Sequence, residues 1–364
     1  MIKRIPAFTL LFLLLFSMFL FSVFMPKQSY SENENKYLAT LPEFSLKSFW
    51  NGSFESKYAT FLSDQFPWRN TWISVKSAAE SLLLKTENNG IVYGKDGYLL
   101  PKFQSYDEEI YWDNLKSIQS FNEAAETTVH ILVVPSAYTV LTEYVPKDLP
   151  VVDERSTLAE GLPLLSGCDI VDVWDVLQAS QNDYVYYRTD HHWTTYGAYL
   201  AYSTYCGHAG LTPKNYDFKD APTVTGFLGT SYSKCKKSGI TADTISYFPV
   251  DAVLKFDGST YDSLYDFTKI STRDKYAMFL YGNHAQSSVE SGSREKKSLL
   301  IIKDSYADSM IPFLSNHYAT IDCIDPRYYL GSIQELCNKD YDDILILLGF
   351  ENLSCEKTWV KLSF

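Results

Sequence analysis

Leu299-Leu300-Ile301-Ile302-Lys303-Asp304-Ser305-Tyr306 reads as a buried strand that ends on a hydroxyl. Four apolar residues in a row, bounded by charge, suit a strand covered on both faces. Ser305 follows at once, so the strand lifts its hydroxyl to the carboxyl end of a sheet, where open α/β sheets collect their sites. Well upstream stands Asp190-His191-His192-Trp193-Thr194. An Asp-x-His turn supplies a base and the group that orients it. Ser305, His192 and Asp190 are together the parts of a Ser-His-Asp acyl-transfer site. Either motif alone is weak, because histidine pairs serve as packing residues and a serine after a strand is often a helix N-cap. The combination carries the reading. The chain order Asp, His, Ser excludes nothing, since triads are defined by geometry and role.

Outward from that strand, the apolar runs at 129–134, 168–173, 318–324 and 344–348 are short enough to be buried strands. Helical patterns cover 106–125 and 196–207, with Gly207 placed as a C-cap. Strands alternating with helices predict an α/β fold with a mostly parallel sheet. Residues 210–290 are rich in Gly, Ser, Thr and Tyr and read as a β-rich insertion. Upstream, Phe49, Phe54, Tyr58 and Phe61 recur at helical spacing within 45–85, and Pro67 is expected to end one helix and start the next. Residues 91–100 read as a hairpin turned by Lys95-Asp96-Gly97. No internal repeat is apparent.

At 364 residues the chain has room for one large domain or two modest ones. A hydrophobic share of 46% against 21% charged predicts a folded core rather than disorder. The 28 tyrosines suit surfaces that stack on sugars, although buried tyrosines are commoner. A net charge of −12 argues against nucleic acid, because no basic stripe is present to neutralise phosphates. At the N-terminus, Lys3 and Arg4 precede an apolar run over 7–25, broken only by Thr9, Ser17 and Ser22. That layout predicts a membrane-spanning helix with a cytoplasmic N-terminus. Val23-Phe24-Met25-Pro26 offers no small-residue cleavage site, so an uncleaved signal-anchor is expected. The expected division is 1–26 cytoplasmic tip and transmembrane anchor, 27–105 tether with a helical and hairpin region, and 106–364 the catalytic domain with its insertion at about 210–290. Six widely spaced cysteines form no C-x-x-C, so no zinc or redox motif is indicated and disulfide pairing stays open.

The stretch Asp190-His191-His192-Trp193-Thr194-Thr195-Tyr196-Gly197-Ala198-Tyr199 resembles the signature of the bacterial DHHW protein family. That family is similar to the periplasmic alginate O-acetyltransferases, which carry a permuted SGNH-hydrolase-like domain. Glu34-Asn35-Lys36-Tyr37-Leu38-Ala39, residues 64–69, Gly94-Lys95-Asp96-Gly97-Tyr98-Leu99 and Lys303-Asp304-Ser305-Tyr306-Ala307 extend the resemblance over about 32–350. It implies a three-layer SGNH-hydrolase-like fold, circularly permuted. The Asp-His block, which closes that fold elsewhere, here precedes the Ser block that opens it. It also implies His192 rather than His191 as the base. Two departures stand out. The usual Gly-Asp-Ser is Lys303-Asp304-Ser305, and Gly349-Phe350-Glu351-Asn352 carries its asparagine one place late for the oxyanion block. The oxyanion and substrate candidates are therefore Asn352, Asn283, Gly331, His191 and Trp193.

The function so implied is a membrane-anchored, extracytoplasmic O-acyltransferase without a cofactor. It would move acetyl groups to a cell-surface polysaccharide, with a membrane-bound O-acyltransferase supplying them and the N-terminal helix holding the chain in the membrane. A carbohydrate esterase of the same fold and a non-catalytic glycan-binding protein are the alternatives. A metal site on Asp190, His191 and His192, joined by Asp304 or Asp308, is disfavoured, because adjacent histidines rarely reach one ion and zinc-site spacings are absent.

Overall fold

The apolar runs assemble into one eight-stranded sheet, seen in a computed structural model that describes residues 5–31, 36–83, 85–337 and 339–363. The chain divides into two compact units, residues 1–88 with 233–239 and residues 89–232 with 240–364. In the smaller unit, α1 (Ile5–Phe24), α2 (Leu46–Trp50), α3 (Ser53–Asp64) and α4 (Arg69–Leu82) occupy the apolar run and the helical region. Along α3, Phe54 stacks on Tyr58 and Tyr58 on Phe61, the ladder that their spacing predicts. Pro67 falls between α3 and α4, as a residue that cannot continue a helix should.

The expected membrane anchor is corrected here. Among the described residues no helix is long and apolar enough to cross a membrane. The expected single-pass localisation falls with the anchor. Lys3 and Arg4, the cations of that reading, and Glu34 and Asn35 of the resemblance lie outside the described residues.

The larger unit begins with a hairpin, β1 (Ile91–Tyr93) and β2 (Leu99–Pro101), turned by Lys95-Asp96-Gly97. There follow α5 (Glu108–Ala124), β3 (Val129–Val134), α6 (Glu154–Gly161), β4 (Asp169–Ile170), α7 (Trp174–Ala179) and α8 (Thr195–His208). Next come β5 (Thr223–Phe227), β6 (Asp243–Ser246), β7 (Ala252–Phe256), β8 (Ser259–Tyr261) and β9 (Gln286–Ser291). The chain closes with β10 (Lys297–Lys303), β11 (Tyr318–Ile324), β12 (Asp343–Gly349) and α9 (Phe350–Cys355). The strand order is β8-β7-β9-β11-β10-β12-β3-β4.

The sheet is mixed rather than mostly parallel. From β11 to β4 every pairing is parallel. On the other side β9, β7 and β8 add antiparallel strands. The expected insertion is thus partly an extension of the main sheet. Only β5 and β6 stand apart, as a two-stranded sheet. Leu299 to Ile302 are fully buried on both faces, each contributing about 2 kcal/mol of burial free energy. Helix α5 turns Tyr111, Leu115, Ile118 and Phe121 inward, and Asp107 caps it by accepting from the Ile110 N–H. Helix α8 runs past its expected end: Gly207 is inside it and Ala209 is the C-cap. The five described cysteines, Cys168, Cys206, Cys235, Cys323 and Cys355, are free thiols.

Candidate active site

Asp304 shapes the turn after β10. Its N–H continues the ladder to Leu347 O, and its carboxylate accepts from the Tyr306 N–H at 2.9 Å. That local bond caps a short 3-10 helix, Ser305–Ser309, and sets Ser305 as its first residue. The other carboxylate oxygen of Asp304 accepts from the Gly349 N–H at 2.7 Å and Asn352 Nδ2 at 2.6 Å. The ends of β10 and β12 and the start of α9 are thereby tied together. Gly349 must be a glycine: a Cβ there would lie 2.8 Å from the Tyr306 ring.

The Asp190–Trp193 turn meets this loop. Ser305 Oγ lies 2.8 Å from His192 Nε2, and His192 Nδ1 lies 2.6 Å from Asp190 Oδ1. An ionised carboxylate only accepts, so Nδ1 carries the proton and Nε2 is left to accept from the serine. The two segments are stitched twice more. Tyr306 Oη donates to His191 O at 2.9 Å, and Trp193 Nε1 donates to Tyr306 O at 2.9 Å.

Asp190 is buried, and its second oxygen accepts from the Thr230 N–H at 2.7 Å and the Thr230 hydroxyl at 3.0 Å. Burial alone would push its carboxyl up. His191 and His192 nearby, with the bonds from His192 and Thr230, outweigh burial and hold it well below the usual carboxylate range. Behind the turn, buried Asp243 accepts from the Arg188 N–H, the Thr189 N–H and hydroxyl, and Tyr184 Oη, fixing the approach to Asp190.

Tyr276 completes the enclosure. Its ring lies parallel on the His192 imidazole, with centroids 4.0 Å apart at 9°. Its hydroxyl donates to Ser305 O at 3.0 Å and lies 3.2 Å from Ser309 Oγ. Burial holds that phenol well above its ordinary pKa, so it stays a donor. The Ser305 N–H donates to nothing among the described residues.

The remaining candidates are placed as follows. Asn352 commits its amide to Asp304. Trp193 is a correction: its ring is fully buried and its N–H is held by Tyr306 O and Ser309 Oγ, so it braces the loop instead of meeting substrate. His191 is half-exposed, with Nδ1 2.8 Å from Thr230 Oγ1. Asn283 and Gly331 are both exposed, and neither is hydrogen-bonded to Ser305, His192 or Asp190 among the described residues. Asp308 pairs with Lys303 at 2.5 Å, both buried, and burial pushes the Asp308 carboxyl up to about 6. Asp190, His191 and His192 bring three groups able to ligate a metal within 4.8 Å of one another. An ion held between Asp190 and the His192 Nδ1 would displace the hydrogen bond between them.

Thr230, Tyr276 and Asp243 were missed from sequence. Each acts from the region of poor periodicity, and a lone threonine, tyrosine or aspartate carries no local signal.

Comparison with known proteins meets the same residues. Residues 165–324 match the DHHW protein family. The resemblance read from the sequence is borne out. Residues 91–217 match a second family, the SGNH hydrolase-like domain of acetyltransferase AlgX. Among curated proteins, the chain is similar to the probable alginate O-acetylase AlgJ of Pseudomonas aeruginosa, 23% identical over 226 residues. That match covers 59% of this chain and spans only 56% of the relative's length. Among solved structures, a DHHW family protein from Eubacterium siraeum superposes with a TM-score of 0.66 at 24% identity, covering 76% of this chain and 97% of that one. Bacillus cereus PatB1, solved with a sulfonyl adduct, gives 0.59 at 17% identity, covering 75% and 100%. The fold is SGNH-like α/β.

Proposed function

We propose that this chain is an O-acyltransferase that moves an acyl group, in the first instance acetyl, onto a polysaccharide hydroxyl through Ser305. The observation that carries this reading is the continuous line from Ser305 Oγ through the His192 imidazole to Asp190. The similarity to one family and one relative named for acetyl transfer supports the choice of acyl group.

In the first half-reaction Ser305 Oγ attacks the acyl carbonyl while its proton passes to His192 Nε2. The Ser305 N–H faces the oxyanion, a contribution of roughly 3 kcal/mol per donor. Collapse breaks the bond to the leaving group, which takes the proton from His192 and departs, leaving an ester on Ser305. In the second half the acceptor hydroxyl gives its proton to His192 and attacks that ester. The product ester forms and Ser305 Oγ recovers its proton. Asp190 holds the imidazole tautomer throughout. Water in place of the sugar would make the same site an esterase. A membrane-bound O-acyltransferase is one source of acyl groups that fits this chemistry. Any activated acyl ester satisfies the chemistry.

A sulfonyl fluoride tests the reading directly. Peptide mapping should find one adduct, on Ser305. Ser305→Ala should abolish both the adduct and acetyl transfer from a chromogenic ester, with the melting curve retained. Activity that survives Ser305→Ala but is lost to a chelator would replace this reading with a metal site on Asp190, His191 and His192. A folded chain that binds glycan but neither labels nor turns over would make it a binding protein.

A further inference from the structure

A buried ion pair spans the turn that carries Ser305. Lys303, the last residue of β10, and Asp308, on the 3-10 helix Ser305–Ser309, meet at 2.5 Å with both side chains 3% exposed. Among the described residues the Asp308 carboxylate is hydrogen-bonded to Lys303 alone. Strand register explains the choice of partner. Ile301 of β10 pairs with Cys323 of β11 and Ile302 with Ile324, so Asp325, the next residue, stands beside Lys303. Asp325 is already filled. Its carboxylate accepts from the Arg327 N–H at 3.0 Å, Nε at 2.9 Å and Nη2 at 2.7 Å. Lys303 therefore turns to Asp308 across the Ser305 turn, and the four charges cancel as two pairs.

Stability does not account for the Lys303–Asp308 pair. Taking two charges out of water costs about as much as their attraction returns, and apolar side chains of like volume are often as stable or more so. Geometry gives the pair another use. The turn is held in three directions. Asp304 ties it to Gly349 and Asn352. On the side of His192, Trp193 Nε1 donates to Tyr306 O and to Ser309 Oγ at 3.1 Å, and the Tyr276 hydroxyl donates to Ser305 O. Neither of these fixes the short helix to the strand that leads into it. Among the described side chains, Lys303 and Asp308 do that. They close the stretch 303–308 around Ser305, from the face of the strand opposite to that of Asp304.

We propose that Lys303 and Asp308 are a positioning pair, which clamps the Ser305 turn to the end of β10 so that Oγ keeps its 2.8 Å approach to His192 Nε2. The inference rests on the acyl-transfer reading above and names the residues that hold its nucleophile. Among the described residues neither is hydrogen-bonded to Ser305 Oγ or to the His192 ring, so both act through the backbone between them. A shift of Ser305 on the order of 1 Å costs about a hundredfold in rate. Without the clamp, Asp304 and Trp193 still hold the turn, which loosens rather than unfolds. A loss of roughly 10- to 100-fold in acylation is expected.

The test separates position from stability by comparing single and double variants of the full chain. Lys303→Met and Asp308→Leu each strand one buried charge, so each should melt below the wild type and acylate slowly with p-nitrophenyl acetate. The double variant strands none. Its melting temperature should return to within a few degrees of the wild type, while kcat for acylation stays roughly 10- to 100-fold low and KM stays within about twofold. A structural role alone would restore rate and stability together. Wild-type acylation in the double variant would overturn the clamp. So would a double variant that melts roughly 10 °C or more below the wild type, or a loss that falls on KM. If the single variants do not fold, the double variant carries the test by itself. Sulfonyl labelling of wild-type Ser305 judges the triad separately. An unlabelled wild type fails the transferase reading, whereas a labelled wild type beside a fully active double variant fails the clamp alone.

Discussion

Removing one hydroxyl should slow this site without dismantling it. Tyr276→Phe keeps the ring on the His192 imidazole at 4.0 Å but deletes the donor 3.0 Å from Ser305 O. A net hydrogen bond contributes about 1 kcal/mol, and up to 3 if a buried acceptor is left bare. Ser305 is then free to rotate about a turn still pinned by Asp304 and the Trp193–Tyr306 bond. A displacement on the order of 1 Å from the attacking geometry costs about a hundredfold in rate, so a loss of roughly 10- to 100-fold in acylation is expected. The loss should fall on kcat, with KM for a small ester within about twofold, because the bond removed is to the Ser305 backbone. Stopped-flow acylation with p-nitrophenyl acetate measures the rate, and thermal melting should show a fall of roughly 2–4 °C. Tyr276→Leu, which also removes the stacking plane, should be slower still. Wild-type acylation by a folded Tyr276→Phe chain would refute the role given to Tyr276 in holding Ser305.

Three further outcomes follow from the same geometry. Asp190→Asn presents an amide where His192 Nδ1 donates, so acylation should fall by roughly a thousandfold or more while the protein stays folded. Gly229→Ala would place a Cβ 2.2 Å from Asp190 Oδ2, and the displaced carboxylate should cost roughly a hundredfold in kcat, read in the same assay. At the opposite end of the strands, buried His130 sits 2.7 Å from Asp169 and 3.7 Å from Asp343, with the Tyr205 ring against it and His208 on the far side of Asp169. Burial lowers the His130 pKa, but the two carboxylates outweigh it and raise it above its ordinary value. The folded state therefore binds this proton more tightly, and its stabilisation is complete below about pH 6.5 and fades as pH rises beyond. Burial opposes ionisation of Asp169 and Asp343, yet their histidine bonds lower both, so their contribution fades instead in acid. His130→Asn should flatten the decline in melting temperature between about pH 6 and 8, and an unchanged decline would remove His130 as its cause.

What the sequence makes legible follows from local physics. The runs at 129–134 and 299–302 are strands because they are short, apolar and buried on both faces, while 318–324 buries Tyr318, Ile321, Cys323 and Ile324 but exposes Thr320. The Asp-x-His and Asp-Ser positions stand out because each sits where a strand or turn ends. Strands β7 to β9 do not, because an antiparallel extension with one side partly solvated mixes Lys255, Ser288 and Glu290 among its apolar residues and breaks the pattern. Thr230 and Tyr276 were invisible for another reason. Their roles exist only across 40 and 29 residues of chain, to Asp190 and Ser305 respectively.

The two carboxylates nearest Ser305 show how the site separates chemistry from support. Asp304 is adjacent in sequence and Asp190 is not, yet Asp190 is the one on the imidazole. Among the described residues, the bonds of the Asp304 carboxylate run to Tyr306, Gly349 and Asn352, groups that hold the loop, the neighbouring strand and the helix after it. Asp190 spends one oxygen on Thr230 and keeps the other for His192, through both the ring and the backbone N–H. Asn352 is thus drawn to a structural carboxylate. Under the proposed acyl transfer, the Ser305 N–H would then be the donor to the oxyanion. That division also accounts for the lysine in Lys303-Asp304-Ser305. Lys303 turns away into its buried pair with Asp308, so the residue before Asp304 need not be small, and the close approach falls instead to Gly349.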